Sequence, residues 1–118
     1  MDEERKEHEL QVVKRLIADA CARAGGQPVL EVTIAGAACS HLEEGLLRFY
    51  WDQYAAGTVC HGARIFYRQV PFIQQCPYCG YKFAARKQNA ACPQCRAEHT
   101  ATLVGDDCAI VEGLTLAA

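Results

Sequence analysis

The sequence contains no long hydrophobic run. In its 118 residues, no apolar segment approaches the roughly 20 residues needed to span a bilayer. The N-terminal stretch, MDEERKEHEL, is highly charged and lacks the apolar centre of a secretory signal. We therefore expect a soluble cytoplasmic protein without a membrane span.

Strong charge of one sign is also missing. The formal net charge is −2, so no global field favours nucleic acid or an anionic membrane. Arg86, Lys87 and Arg96 give one segment local positive charge, but no basic stripe accompanies them. We therefore expect no nucleic-acid partner.

The sequence has no motif typical of an enzyme. It contains no phosphate-cradling glycine loop, and no serine, histidine and aspartate set in a recognisable motif. We therefore predict a protein that is not an enzyme. The composition, 51% hydrophobic and 22% charged, is that of a folded chain and not of a disordered one.

Two stretches have the three- and four-residue apolar spacing of an amphipathic helix. The first runs from about Leu10 to Ala24 and ends at Gly25-Gly26. The second runs from about His41 to Ala55, and its start is marked by a capping-box pattern of Ser40 and Glu43. The residues expected on the buried face of the second helix are Leu42, Leu46, Phe49 and Tyr50.

Three segments have the residue pattern of strands. Apolar residues alternate with polar ones over 30–34, and a second strand spans about 63–70. A third strand, over about 108–116, is too short to stand alone and should return to the first sheet. The apolar residues of the first strand are Leu30, Val32 and Ile34, which we expect on its buried face. In the third strand, we expect one face to be shared by Ile110, Leu114 and Leu116.

The order of these elements predicts an α+β fold. Two helices pack on a three-stranded sheet, and a zinc-ribbon-like tetracysteine module is inserted between its second and third strands. We predict one domain made of 1–71 plus 105–118, and a zinc-binding domain over 72–104. The insertion has few large apolar side chains, so it should depend on a metal for its stability.

Four of the eight cysteines form two C-x-x-C pairs, Cys76 with Cys79 and Cys92 with Cys95. In a reducing cytosol we do not expect eight cysteines to form disulfides, so metal binding is the first hypothesis. Two such turns build a closed tetrahedral shell of sulfur ligands, which suits a structural zinc ion. The alternatives are iron in the same shell, a pair of disulfides, or a redox-active C-x-x-C.

The remaining cysteines and histidines have no comparable spacing. We interpret four cysteines as small hydrophobic residues: Cys21, Cys39, Cys60 and Cys108. His41 falls in the first turn of the second helix, and His61 lies beside Cys60 in a loop. His99 comes four residues after Cys95 and is a candidate to compete as a zinc ligand.

Four segments follow one another in order: His8-Glu9-Leu10 at the head of a helix, the strand and helix over 30–54, the stretch over 57–65 that leads into the second strand, and the paired C-x-x-C module followed by Gly105-Asp106-Asp107. With these segments, the chain resembles the HypA/HybF family of hydrogenase nickel-insertion proteins. Together the four segments cover nearly the whole chain from residue 8. Their order and spacing, and not any single motif, are specific.

The resemblance implies a metallochaperone with an α/β nickel-binding domain and a zinc domain. Such a protein delivers nickel to the large subunit of a [NiFe]-hydrogenase and works with a HypB-like GTPase; some members also serve urease. The family's nickel site is an N-terminal Met-His-Glu, which the resemblance carries over to His8 and Glu9 here. This sequence departs from that motif, because Glu7 precedes His8 and the α-amine of Met1 is seven residues away.

Two functions from different classes follow. The first is a metallochaperone with a structural zinc ion and a transient nickel ion, held with His8 and Glu9 as candidate ligands. The second is a zinc-stabilised adaptor of a maturation complex that does not itself bind nickel tightly. Nickel titration distinguishes the two.

Overall fold

A computed structural model describes residues 2–37 and 42–117, with side chains over 8–37, 42–104 and 107–117. The elements in chain order are α1 (Asp2–Ala24), β1 (Val29–Ala37), α2 (Glu44–Tyr54), β2 (Arg64–Val70), β3 (Phe72–Gln75), β4 (Lys82–Ala85), β5 (Ala101–Thr102), a 3-10 turn (Gly105–Cys108) and β6 (Ala109–Leu116). Within these residues, no helix is both long and apolar enough to cross a membrane.

The main sheet has three strands in the order β2-β1-β6. β1 pairs in parallel with β2 and antiparallel with β6. Parallel neighbours need a crossover connection, which α2 supplies. Both helices contribute to one apolar cluster with one face of this sheet, for example through Val13, Leu47 and Ile34. The predicted α+β class, with the last strand returning to the first sheet, is confirmed.

α1 begins well before the predicted Leu10, at Asp2. Glutamate, arginine and lysine are good helix formers, so the charged N-terminal stretch extends the helix although it adds no apolar stripe. From Val12 to Ala24 the apolar face is buried, as predicted. The helix ends where Gly25 and Gly26 adopt φ of 61° and 89°, a left-handed conformation that glycine accepts without strain.

The buried face of α2 differs from the prediction. Leu47 and Trp51 are fully buried, whereas Phe49 is 55% exposed. The helix begins at Glu44 and not at His41, and Glu43 makes no side-chain cap. Ser40 and His41, the other parts of the predicted start, lie outside the described residues. Two of the predicted core residues are confirmed, since Leu42 is buried in the main apolar cluster and Tyr50 packs against it. Apolar residues lie on several sides of α2, so periodicity alone included Phe49 and missed Leu47 and Trp51.

Two bulges change which strand residues face the core. The pairing of β1 with β6 shifts once next to Leu30 and again next to Glu112. One extra residue breaks the period of two, so the side chains beyond it switch faces. Leu30 is therefore 52% exposed, and Ile110 lies on the opposite face from Leu114. The predicted core position of Leu30 is therefore wrong. The expectation that Ile110 shares a face with Leu114 and Leu116 is also wrong, although Ile110 itself is buried in the second apolar cluster.

The stretch between β2 and β6 forms a second sheet, in the order β4-β3-β5. Its first strand carries Ile73, which is fully buried and packs with Ala35 and Ile110 on the back of the main sheet. A small second core thus joins the base of the cysteine module to the main sheet. The division into 1–71 plus 105–118 and 72–104 stays a prediction.

Candidate metal centre

Four cysteine sulfurs meet at one end of the second sheet. Cys76 follows β3 directly and Cys79 lies in the hairpin before β4, while Cys92 and Cys95 lie between β4 and β5. All four Sγ atoms lie within 4.8 Å of one another. The Sγ atoms are 3.4 Å apart for Cys76 and Cys95, and 3.6 Å apart for Cys79 and Cys92. The fold therefore brings the predicted quartet together.

Each C-x-x-C pair lies in a turn with the same backbone geometry. In the first turn, the Cys76 N–H donates to Tyr81 O at 2.9 Å, and the Gly80 N–H donates to Cys76 O at 2.9 Å. The second turn repeats both bonds from Cys92 at the same sequence spacing. The fourth residue after each leading cysteine has a left-handed φ, 76° for Gly80 and 67° for Arg96. Two equivalent turns thus aim four thiols at one point.

The pKa values of the four thiols are shifted in different directions. Desolvation raises the pKa of Cys76, but backbone N–H groups, first that of Cys79, outweigh it and lower this pKa to about 6. A backbone N–H lowers the pKa of Cys95, but contact with the other cysteines of the cluster, first Cys76, raises it to about 12. The pKa of Cys92 is likewise lowered and that of Cys79 raised. Four thiolates this close repel one another, so full ionisation needs a cation between them.

The sulfur spacing fits a tetrahedral metal ion. Bonds of ~2.3 Å around zinc place the sulfurs roughly 3.8 Å apart. This is close to the Sγ–Sγ distances of 3.4 Å and 3.6 Å in the two cysteine pairs. Four protein thiolates complete the shell and leave no position for a water molecule. The arrangement is therefore that of a structural metal site. Zinc and iron both accept such a geometry.

A buried glutamine fixes the segments on either side of the second turn. Gln74 is fully buried on β3. Its Nε2 donates to Thr102 Oγ1 at 2.7 Å, and its Oε1 accepts the Asn89 N–H at 3.1 Å. The Thr100 hydroxyl donates to Ala90 O at 2.6 Å in the same layer. These bonds tie β5 and the 89–90 loop to β3, and no spacing in the sequence indicated this role for Gln74.

The histidines considered as further ligands are not gathered at the four sulfurs. In the described parts of the chain, the group of metal-ligating atoms consists of the four cysteines alone. The Nδ1 of His99 lies 3.0 Å from the amide nitrogen of Asn89. His61 is exposed in the loop between α2 and β2, and His41 is outside the described residues. His99 therefore does not compete as a zinc ligand in this arrangement.

The candidate nickel ligands His8 and Glu9 are both on α1. His8 is exposed, whereas Glu9 is only 7% exposed. Consecutive helix residues point about 100° apart, so the two side chains project in different directions. They belong to no group of three or more ligating residues in the described part of the chain. Because α1 starts at Asp2, the amide of His8 falls beyond the first four N–H groups that a helix leaves without an intrahelical acceptor.

Of the cysteines interpreted as small hydrophobic residues, two lie in contact. The Sγ atoms of Cys21 and Cys60 are 3.3 Å apart, and both residues carry free thiols. Cys108 is fully buried in the second apolar cluster, as expected of a small hydrophobic residue, but it is also disulfide-bonded, which was not expected. Cys39 lies outside the described residues. No spacing in the sequence indicated either the thiol contact or the disulfide.

Comparison with known proteins agrees with this architecture. A family model described as "Hydrogenase/urease nickel incorporation, metallochaperone, hypA" matches residues 8–113. The hydrogenase maturation factor HypA of Chlorobium limicola is 26% identical over 103 residues, covering 85% of this chain and 89% of that protein. That of Rippkaea orientalis is 28% identical over 105 residues, covering 89% of this chain and 92% of that protein.

A solved structure shares the fold. The solution structure of the nickel metallochaperone HypA from Helicobacter pylori covers 93% of this chain and 97% of its own, with a TM-score of 0.58 and 17% identity. The class that emerges is a metallochaperone-type fold with a tetracysteine metal site. The match over 106 positions, 8–113, shows that this chain belongs to the HypA family of nickel-incorporation proteins.

Proposed function

We propose that this chain is a nickel metallochaperone that delivers Ni(II) to the large subunit of a [NiFe]-hydrogenase during maturation. The observation that carries the proposal is the family match over residues 8–113. The closed sulfur shell supports it, because a site without an open position suits a structural ion and not a cargo ion. The cargo must then be bound elsewhere.

The resident ion of the quartet is zinc in this proposal. Zinc has no redox chemistry, prefers tetrahedral thiolate ligands and stabilises small modules outright. The two leading cysteines, Cys76 and Cys92, are 1% and 2% exposed, so their sulfurs anchor the ion from the protein side. Bound zinc would offset two of the four thiolate charges and would tie the two turns together.

Nickel binds at the head of α1 in this proposal, with His8 as a ligand and Glu9 as a further candidate. Imidazole nitrogen is a good Ni(II) ligand, and the exposure of His8 leaves it accessible. Backbone amides add nitrogen ligands only after losing their protons. Because α1 runs through His8, those amides must also leave helical hydrogen bonds. We therefore expect weaker nickel binding than at a free Met-His-Glu terminus.

The partners implied are a HypB-like GTPase and the hydrogenase large subunit. The resemblance to the family supports both, and the family description also names urease as a nickel-dependent client. Nickel exchange between proteins favours a site at an accessible position. The exposed His8 meets this requirement. An ion held by the quartet has all four coordination positions filled by cysteines, so it has no position for transfer to a partner.

Nickel titration of the zinc-loaded chain by calorimetry tests this proposal. We expect one Ni(II) per chain, and His8→Ala should weaken binding at least tenfold, since even the loss of a group that only hydrogen-bonds to a metal ligand costs about 10–100-fold in metal affinity. His61→Ala is the matched control, because His61 is also exposed and should leave nickel binding unchanged. Affinity should rise with pH, because the ligands must release protons.

Removing residues 2–7 recreates Met-His-Glu and should tighten nickel binding. If neither this deletion nor His8→Ala changes the affinity, His8 is not a ligand. If the intact chain binds no nickel, the adaptor function replaces the metallochaperone. The helical position of His8 is the observation that favours this second candidate.

A further inference from the structure

Two thiols outside the metal centre lie in contact beside the main sheet. The Sγ atoms of Cys21, near the end of α1, and Cys60, in the loop before β2, are 3.3 Å apart. A disulfide bond has a length of about 2.05 Å, so a movement of roughly 1.3 Å would join the sulfurs. No third metal-ligating side chain accompanies them within the described residues. The chemistry of two adjacent thiols is therefore that of a dithiol.

The backbone around Cys60 is held firmly. Trp51 Nε1 donates to Cys60 O at 3.1 Å, and the Cys60 N–H donates to Thr58 Oγ1 at 3.1 Å. The neighbouring Val59 O accepts the Val29 N–H at 2.8 Å, which fixes the loop to β1. Cys21 sits on a continuous helix that packs against the same core. The contact between the sulfurs is thus built into two ordered segments.

The two sulfurs differ in access to solvent. Cys60 is fully buried, whereas Cys21 is partly exposed. Burial, with the neighbouring Cys21 thiol, raises the pKa of the Cys60 thiol to about 12. A soluble oxidant can therefore reach Cys21 but not Cys60. The natural order of reaction is attack by Cys21, followed by closure from Cys60.

We propose that Cys21 and Cys60 are a redox-active thiol pair that a low-molecular-weight disulfide, of the glutathione type, oxidises to an intramolecular disulfide. The Cys21 thiolate attacks one sulfur of the small disulfide, forms a mixed disulfide and releases one thiolate. The Cys60 thiol loses its proton, attacks the Cys21 sulfur and expels the second thiolate, which takes up a proton. Two protein thiols are oxidised and one small disulfide is reduced to two thiols.

The disulfide would tie the last turns of α1 to the loop after α2. The closed ring spans 21–60, which is long enough for a large restriction of the unfolded chain. Oxidation should therefore raise the melting temperature, by on the order of 10 °C. This pair is remote in sequence from His8 and from the quartet, so the proposal stands apart from nickel delivery.

Peptide mapping tests the proposal. The zinc-loaded chain is reduced mildly, freed of reductant, equilibrated with oxidised glutathione, alkylated in acid and digested with trypsin. Cys21 falls in the tryptic peptide 16–23, Cys60 in 49–64, and Cys108 in 97–118, so these three cysteines are identified separately from one another and from the quartet. We expect 16–23 linked to 49–64, with full zinc retained.

Single-cysteine variants decide the order of reaction. Cys60→Ser should trap one glutathionyl group on Cys21, and Cys21→Ser should leave Cys60 unmodified. If Cys60→Ser fails to fold, the Cys21→Ser variant still carries the contrast with the parent. Absence of the linked peptides at excess oxidised glutathione would overturn the proposal. So would oxidation confined to the quartet with loss of zinc, or glutathionylation of Cys60 in Cys21→Ser.

Discussion

Replacing Cys92 by serine should remove the metal and unfold the cysteine module. Cys92 is 2% exposed, and its sulfur is one of four that share a single centre. Apparent binding free energies for structural zinc are about 10–16 kcal/mol, and in a module with so small a core most of this is folding free energy. Elemental analysis should find well under one zinc per chain in Cys92→Ser, against one in the parent.

The matched control for Cys92→Ser is Cys21→Ser, since both replace one sulfur by oxygen in the same chain. Cys21→Ser should keep one zinc per chain. Hydrogen exchange should show protection lost over 72–104 in Cys92→Ser and retained over α1 and β1. A Cys92→Ser protein with full zinc and native protection in the module would contradict the assigned site.

Strong chelation extends this test to the domain division. The second core that joins Ile73 to the main sheet is small, whereas the helices and the main sheet share a larger apolar cluster. Metal removal should therefore abolish protection over 72–104 first. Simultaneous loss over 10–70 would show that the predicted division is misplaced.

Truncating Trp51 to alanine should destabilise the helices and the main sheet by about 3–5 kcal/mol, since large-to-small changes in a core leave a cavity. Trp51 is fully buried on α2, and its Nε1–H donates to Cys60 O. Its loss therefore removes packing and also leaves a buried carbonyl without this donor. Denaturant unfolding, followed by a probe in the main sheet such as the exchange of β1 amides, measures the change.

Phe49→Ala is the control for Trp51→Ala, because it removes an aromatic ring from the same helix. Phe49 is 55% exposed, so its truncation should change stability by less than about 1 kcal/mol. Similar losses for both variants would contradict the orientation of α2. A larger loss for Phe49→Ala would favour the face that periodicity had indicated.

The quartet could be predicted because its geometry is largely local. A C-x-x-C turn positions two sulfurs by its own backbone, and the chain offers two such turns. The element types could be predicted for a similar reason, since apolar spacing follows the period of the structure that buries it. α1 shows this well, because the apolar spacing from Val13 to Ala24 fits a helix and no other element.

The errors arise where the period is interrupted or ambiguous. Neither Leu30 nor Glu112 has a side chain that signals a bulge, yet the shift in pairing beside each reverses the faces. In α2, aromatic residues occupy neighbouring positions, and only packing against the sheet selects Trp51 over Phe49. Such selection depends on the three-dimensional partner and not on the helix alone.

Contacts between residues far apart in the chain could not be predicted from the sequence. Gln74 lies in an otherwise ordinary strand segment, and its hydrogen bonds to Thr102 and Asn89 form only once β3 and β5 pair. The contact of Cys21 with Cys60 similarly joins positions 39 residues apart. Single-sequence patterns carry no signal for such pairs, because each partner is individually unremarkable in its own element.

Nickel transfer is the most direct test of metallochaperone function in this chain. A nickel-free [NiFe]-hydrogenase large subunit is incubated with the nickel-loaded chain, or with a chelator buffer that sets the same free nickel concentration. Incorporation into the large subunit should be faster from the chain, and His8→Ala should reduce it to the rate of the buffer alone. Equal incorporation from the intact chain and from the buffer would contradict nickel delivery.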